Sequence, residues 1–461
     1  MSRTEQQTPG QRTSRRAFIK NSSVLMATGA VGSGIGLTRS VHVDGSDLIK
    51  IALIGCGSRG TAATVQALNT TGGPVRLVAM ADVFPDKIQG AFRAIKSRHA
   101  DQVDVPRERR FSGLDAYRQV LEADADLVII ATPPGFRPLH FEMAVRAGKH
   151  VFLEKPLATD PAGVRRVVRT NELAKQKGLA VAVGLQRRHA RTYQETIARL
   201  RDGAIGRILM ARAYWNGSNA STRPRQPKQT ELEYQLRNWY YFTWLGGDHI
   251  VEQHIHNLDV INWLLGDTPV LANGHGGRQV RTARDHGQIF DHHFIEFTYP
   301  DGTKLFSQCR QIPGCWRTVS EHVTGTNGYA DLSGGKIYNR SGSIIWNANS
   351  RSMAGTPPGT APSRSRKKRR RDDAHQQQQN DLFAVLRRGE QLNECDYGAA
   401  STMTAILGRM ATYSGQQVEW NEAIASDLQL ADIDRLHLLD DPAPVSPDSS
   451  GRYPIAIPGL G

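Results

Sequence analysis

The run Asp47–Ile54, DLIKIALI, passes straight into Gly55-Cys56-Gly57-Ser58-Arg59-Gly60 and then TAATVQALN, and no other segment constrains the fold of this chain as strongly. A β-branched apolar run ending in G-x-G-x-x-G before a helical pattern reads as the first strand of a parallel sheet. The first glycine permits the tight turn, the second lets backbone approach a diphosphate, and the third lets helix and strand pack closely. The helix amino terminus then favours the phosphate charge. A second strand, Val75–Ala81, ends at Asp82, where a carboxylate accepts hydrogen bonds from both ribose hydroxyls and repels a 2′-phosphate. NAD is the expected cofactor, with NADP as the alternative because Arg59 places a guanidinium just inside the turn. Asp82 also has a plainer reading, as a turn or cap residue before Val83-Phe84-Pro85-Asp86.

A further strand, Asp126–Ala131, ends in Thr132-Pro133-Pro134; a helix over about Leu139–Ala147 then leads to Lys149–Leu153 and Glu154-Lys155-Pro156. The segments ATPP and AGKHVFLEKPLA resemble the Gfo/Idh/MocA family of glucose-fructose oxidoreductases and inositol dehydrogenases. The resemblance runs from about Lys50 to Trp420. It implies an α/β fold, a doubly wound parallel Rossmann sheet followed by an α/β domain on a mostly antiparallel open sheet. It also implies that Lys155 lies beside the nicotinamide and contacts the reacting hydroxyl. Cofactor contacts are expected from Gly55, Gly57, Ser58, Arg59, Gly60, Asp82, Thr132, Pro133, Glu154, Lys155 and Gln186. Val181–Leu185 reads as the last Rossmann strand, which sets the nucleotide domain at 46–188 and the substrate and oligomerisation domain at 189–430, with a tail over 431–461.

In the second half, Ile208–Tyr214, His292–Tyr299 and Lys304–Cys309 are patterned as strands of a sheet with one covered face. The segment Gly246–Gly266 has helical apolar spacing, and Glu252, His256 and Asp259 recur at steps of four and three, so they share one face of a regular helix. It resembles the family's GGG…D…H..D…WL segment, with Glu252 where many members have Asp and His254 where a small residue is usual. His256 is the candidate general base, Asp259 orients the ring or the substrate, Lys155 stabilises developing alkoxide charge, and Glu252 is the fourth catalytic candidate. His249, Glu252 and His256 also fall at i, i+3 and i+7, a metal-binding pattern, but the family chemistry needs no metal and none is expected. The aromatics of Arg237–Trp244 suit either the C–H face of a sugar ring or core packing. Asp396–Gly408 is expected to be a helix packing back on the fold.

Ser14-Arg15-Arg16-Ala17-Phe18-Ile19-Lys20, followed by the mildly apolar Val24–Leu37, resembles a twin-arginine signal. It implies the twin-arginine export machinery as a partner of residues 1–45, and a periplasmic location or attachment to the outer side of the cytoplasmic membrane. Much of the net charge of +14 is concentrated there and in the run Arg364–Arg371, within an insert at about 355–380 read as a disordered, solvated loop. Without interleaved aromatics or a reading helix, that charge does not indicate a nucleic-acid partner. Cys56, Cys309, Cys315 and Cys395 form no CxxC pair, and only Cys309 and Cys315 are spaced to bridge a short loop after export.

Three functions use these residues. The first transfers hydride between a sugar or cyclitol carbinol and NAD, in a protein expected to be a homo-oligomer. The second is an NAD-retaining glycosidase or lyase that oxidises a glycoside transiently, eliminates, and returns the hydride; export favours it because free NAD is scarce outside the cytoplasm. The third, a non-catalytic sugar or dinucleotide sensor, ranks last because Lys155 and His256 are both present.

Overall fold

A computed structural model describes residues 47–218, 220–349 and 373–459. The twin-arginine segment and the Arg364–Arg371 run lie outside the described residues.

Strands β1 (Ile49–Ile54), β2 (Val75–Asp82), β3 (Arg110–Ser112), β4 (Leu127–Ile130), β5 (His150–Leu153) and β6 (Val181–Val183) form a six-stranded sheet in the order β3-β2-β1-β4-β5-β6. Every pair is parallel. β1 and β4 are buried along almost their whole length, as strands covered on both faces must be. The register positions the site. Ile54 is level with Ala81 and Ile130, Ile130 with Leu153, and Leu153 with Val183. The next residues of these strands, Gly55, Asp82, Ala131, Glu154 and Gly184, therefore form one rim at the carboxyl ends, where the strand order reverses between β1 and β4.

Helices α1 (Ser58–Leu68) and α2 (Pro85–Lys96) cover one face, and a third helix on that face comes from far along the chain. Residues Ala374–Arg388 form α3, whose Leu382, Phe383 and Leu386 join the core of Ile51, Leu53 and Phe152. Gln378 Nε2 ties this helix to the Val183 carbonyl at the rim, and Arg387 donates to the Asp47 and Pro74 carbonyls at the opposite end. This corrects the expected insert: residues 374–380 are helical, and they complete the nucleotide-binding half rather than belonging to a loop.

The second half is a nine-stranded sheet. At its centre, β7 (Ile208–Gly217) pairs parallel with β10 (Lys304–Gln311) and antiparallel with β11 (Thr318–Gly325), while β9 (His292–Thr298) joins β10 antiparallel. β9 and β10 alternate buried and half-buried residues, so one face is covered. The cover is the long helix α5 (Cys395–Ser414) with α4 (Ile255–Leu265), whose buried Met403, Ile406, Leu258 and Ile261 pack into a core shared with Ile295 and Phe297. The expected tail at 431–461 is no free tail: Tyr453 is buried, packs edge-on against Phe242 at 4.8 Å and donates to Glu231 at 2.5 Å. Cys309 and Cys315 are both free thiols, so the bridge considered for them is absent.

Candidate active site

The glycine turn is held from beneath and open above. Gly55 has φ +96°, and a Cβ there would lie 2.7 Å from Ala131 C and Thr132 N; one at Gly60 would lie 2.0 Å from the Gly55 carbonyl oxygen. A Cβ at Gly57 would meet nothing within 4 Å. The first and third glycines are thus fixed by packing, while the second leaves backbone open at the start of α1, the space a diphosphate fits. The Asp82 carboxylate accepts from the Cys56 N–H at 2.7 Å and the Phe84 N–H at 2.9 Å. Its turn role is therefore real, and it is compatible with ribose binding because each oxygen keeps a lone pair. Burial raises the Asp82 pKa against those two amides.

Arg59 is engaged by two side chains and stays half-buried. Its Nε is 3.0 Å from Glu154 Oε1 and it donates to Gln66 Oε1 at 2.5 Å. Glu154 itself is buried, and its carboxylate reaches the rim only because residue 184 is glycine: a Cβ there would lie 2.5 Å from Glu154 Oε2. The Thr132 hydroxyl lies 3.1 Å from Nδ1 of His140, a buried histidine whose pKa burial lowers to about 3. Pro133 follows on the same rim. Gln186 stands just beyond β6 with its side-chain oxygen buried and without a partner among the described residues, an acceptor that a bound carboxamide or hydroxyl would satisfy.

Lys155 crosses from this rim to the second half. Its Nζ donates to Glu252 Oε1 at 2.9 Å and to the Glu252 carbonyl oxygen. Both side chains are largely shielded, at 13% and 16% exposure, so the pair attracts more strongly than a surface ion pair would. His256 is buried one turn along; its imidazole has no hydrogen-bond partner among the described residues and stacks on Trp215 with ring centres 5.9 Å apart. Burial first, then the charges of Lys155 and Arg187, hold its pKa well below the ordinary histidine value, so the imidazole is neutral. Lys155 and Glu252 thus form a direct pair, and His256 lies close enough to feel the charge of Lys155.

Asp259 does not join them. It accepts from Arg188 Nη2 at 2.7 Å and Nε at 3.0 Å and from the Ser401 hydroxyl at 2.8 Å, and it is almost fully buried. It anchors the turn after β6 to α4 and α5 and makes no hydrogen bond to His256, so of the two roles expected for it, orienting the ring or the substrate, the first is not made. The π-helical turn Ile250–His254 precedes both residues, and the regular helix Ile255–Leu265 carries His256 and Asp259 alike; what removes Asp259 is its engagement by Arg188 and Ser401.

His249 also leaves the expected face. It lies fully buried beside Asp248, its Nδ1 2.7 Å from Asp248 Oδ1, and with His293 these make a cluster whose ligand-type atoms lie within 4.8 Å of one another. Asp248 Oδ2 accepts from the Phe290 N–H at 2.9 Å and the Tyr413 hydroxyl at 2.7 Å. Each carboxylate oxygen lies within hydrogen-bond distance of two polar groups, counting the His249 N–H, so Asp248 is the centre of a buried polar hub. Of the aromatic run, Tyr241, Phe242 and Trp244 are core residues, while Tyr240 accepts from Gln311 Nε2 at 2.6 Å near Glu252. Trp215 has no motif to reveal it; only the tertiary fold stacks it on His256.

Residues 49–185 match the family model described as oxidoreductase family, NAD-binding Rossmann fold, and residues 193–331 match the GFO/IDH/MocA C-terminal domain. The chain belongs to the Gfo/Idh/MocA oxidoreductase family. Its first half is an NAD-binding Rossmann domain. Among Gfo/Idh/MocA relatives, it is 29% identical to an inositol 2-dehydrogenase of Acidiphilium cryptum over 62% of this chain and 74% of that one. It is 29% identical to inositol 2-dehydrogenase 2 of Saccharopolyspora erythraea over 51% of this chain, and spans only 59% of that relative's length. The fold is that of scyllo-inositol dehydrogenase from Lactobacillus casei (TM-score 0.59, 20% identity, 81% of this chain and 98% of that one). It is likewise that of levoglucosan dehydrogenase in complex with NADH (TM-score 0.61, 16% identity, 81% and 99%).

Proposed function

We propose that this chain is an NAD-dependent oxidoreductase acting on a carbinol carbon of a sugar or cyclitol. The Lys155–Glu252 pair carries the reading, because it brings a largely shielded ammonium from the cofactor rim to a helix that also bears a neutral, unpartnered imidazole. Gly57 and Ser58 would receive the diphosphate of NAD, Asp82 the adenosine ribose, and Gln186 the nicotinamide end. Bound nicotinamide supplies the hydride acceptor. A substrate hydroxyl seated between Lys155 and His256 gives its proton to His256 as the carbon becomes a carbonyl, and the Lys155 ammonium stabilises the charge that develops on that oxygen. Glu252 fixes the direction of Lys155. Names of relatives that act on inositols and levoglucosan support a polyhydroxylated ring as substrate, and the sequence around Arg15 and Arg16 supports export.

The test is a panel of cyclitols, free sugars and glycosides with NAD, followed by reduced-nicotinamide absorbance and product analysis. Lys155→Ala is expected to lower turnover by about a hundredfold or more while NADH still binds. Normal turnover by that variant would overturn the assignment.

A further inference from the structure

We propose that Arg223, supplied by the second half of the chain, closes over the adenosine end of the dinucleotide and holds it in place between turnovers. The proposal rests on the dinucleotide reading of the Gly55–Gly60 turn.

A groove of 560 Å³ runs from Gly57 and Ser58 between α1 and α2. Its floor is small and apolar, with Ala62, Gly90 and Ala94, and its rims are cationic, with Lys87 and Arg98 from the nucleotide half and Arg223 reaching over from the other. Neither the Arg98 nor the Arg223 guanidinium has a hydrogen bond or ion pair among the described residues. Asp86, the acid lining the groove, is engaged by Arg237 at 3.3 Å and by Lys87 at 3.8 Å, which leaves Arg98 and Arg223 as the uncompensated rim cations. Unneutralised cations facing an apolar slot that opens at a phosphate-binding turn fit a flat base carrying a phosphate, which is the adenosine diphosphate portion of the cofactor.

The position of Arg223 is built. Its backbone N–H donates at 2.8 Å to Asn238 Oδ1; Asn238 is buried, and its Nδ2 donates at 2.8 Å to the Asp285 carbonyl. The adjacent Arg237 lies 3.8 Å over the ring of Phe84, in the loop that follows Asp82, and also pairs with Glu233 at 2.9 Å. The segment bearing Arg223 is therefore fastened to the loop that would surround the adenosine ribose. A cofactor seated there leaves only when this cross-half contact opens.

The experiment measures the NADH dissociation rate by stopped-flow fluorescence, and the affinities of ADP-ribose, NMN and NADPH by calorimetry, for the full chain and for Arg223→Ala and Arg223→Lys. Arg223→Ala is expected to release NADH about tenfold faster or more, the factor that goes with one charge-assisted hydrogen bond, and to weaken ADP-ribose but not NMN. Arg223→Lys should recover part of the loss. An unchanged NADH release rate in an Arg223→Ala protein that melts like the parent overturns the proposal. So does an effect confined to NADPH, which would make Arg223 a 2′-phosphate ligand only. Failure of the parent chain to bind NADH or ADP-ribose at all overturns the dinucleotide reading, and the clasp with it.

Discussion

Replacing Asp248 with glycine sets two opposed effects against each other at one residue. Asp248 sits at φ +75°, a left-handed conformation that costs a non-glycine residue roughly 1 kcal/mol, so glycine relieves strain. The substitution also deletes a fully buried carboxylate that accepts from His249 Nδ1 at 2.7 Å, Tyr413 at 2.7 Å and the Phe290 N–H at 2.9 Å. Each donor left without a partner costs about 1–3 kcal/mol, and breaking a buried charged network typically costs about 3–5 kcal/mol in total. The loss exceeds the relief, leaving a net destabilisation of roughly 2–4 kcal/mol. At about 2–4 °C per kcal/mol for a domain of this size, the melting temperature should fall by roughly 5–15 °C. Asp248→Asn keeps the shape and one acceptor and should fall between parent and glycine variant. Calorimetric melts of the three proteins decide it. A glycine variant as stable as the parent would show that strain governs this turn and that the carboxylate hub contributes nothing.

Acid should destabilise the protein well before its carboxylates titrate. Burial holds His140 and His254 at about 3 and His150 and His249 at about 4, all below the ordinary histidine value near 6.5. Each favours the neutral form in the fold, so its stabilisation is complete above pH 6.5 and declines as pH falls toward the folded value. The decline is up to about 1.4 kcal/mol per pH unit for each group. A melting temperature that is flat between pH 7 and 5 would contradict this. Glu252→Gln removes the charge that directs Lys155 and should cut kcat about tenfold to a hundredfold with NADH affinity unchanged, as steady-state kinetics beside a fluorescence titration would show. Asp259→Asn weakens a buried pair with Arg188 and should lower stability by about 3 kcal/mol while the folded fraction keeps kcat within about threefold; a hundredfold loss of kcat would return Asp259 to the catalytic group.

The nucleotide half was legible because its signals are local. Gly55, Gly60 and Asp82 are dictated by backbone within one β-α-β unit, and the parallel register follows from strands buried on both faces. Helix α3 was not legible. Its Gln-rich first turns, AHQQQQN, carry no apolar periodicity, yet Gln378 caps a strand carbonyl and Leu382, Phe383 and Leu386 fill the gap beside α1. A polar segment with a few apolar residues reads as a loop unless the surface awaiting it is known, and that surface lies more than 300 residues upstream in sequence.

The site was half legible for a more specific reason. Residue types and motif spacing brought Lys155, Glu252 and His256 to attention; Lys155 and Glu252 pair directly, and His256 lies within reach of the Lys155 charge. Face arithmetic then failed at His249, because it assumes 3.6 residues per turn through Gly246–Gly266, and at Asp259 because Arg188 and Ser401, both remote in sequence, take up its carboxylate. The left-handed pair Gly247 and Asp248, followed by the π-helical turn Ile250–His254, changes the phase of the helix within that stretch. Asp248 stands in the left-handed position and is held from two distant segments, by the Phe290 N–H with His293 beside it and by the Tyr413 hydroxyl, so a hub positioned to set the phase of the catalytic helix is invisible to local pattern. If that is correct, stability lost at Asp248 and activity lost at Glu252 are coupled: Asp248→Asn should lower kcat while leaving NADH affinity unchanged, and Asp248→Asn with Glu252→Gln should lose less kcat than the product of the two single losses. Simple multiplication of the two would mean that the hub stabilises the turn without positioning the residue that faces Lys155.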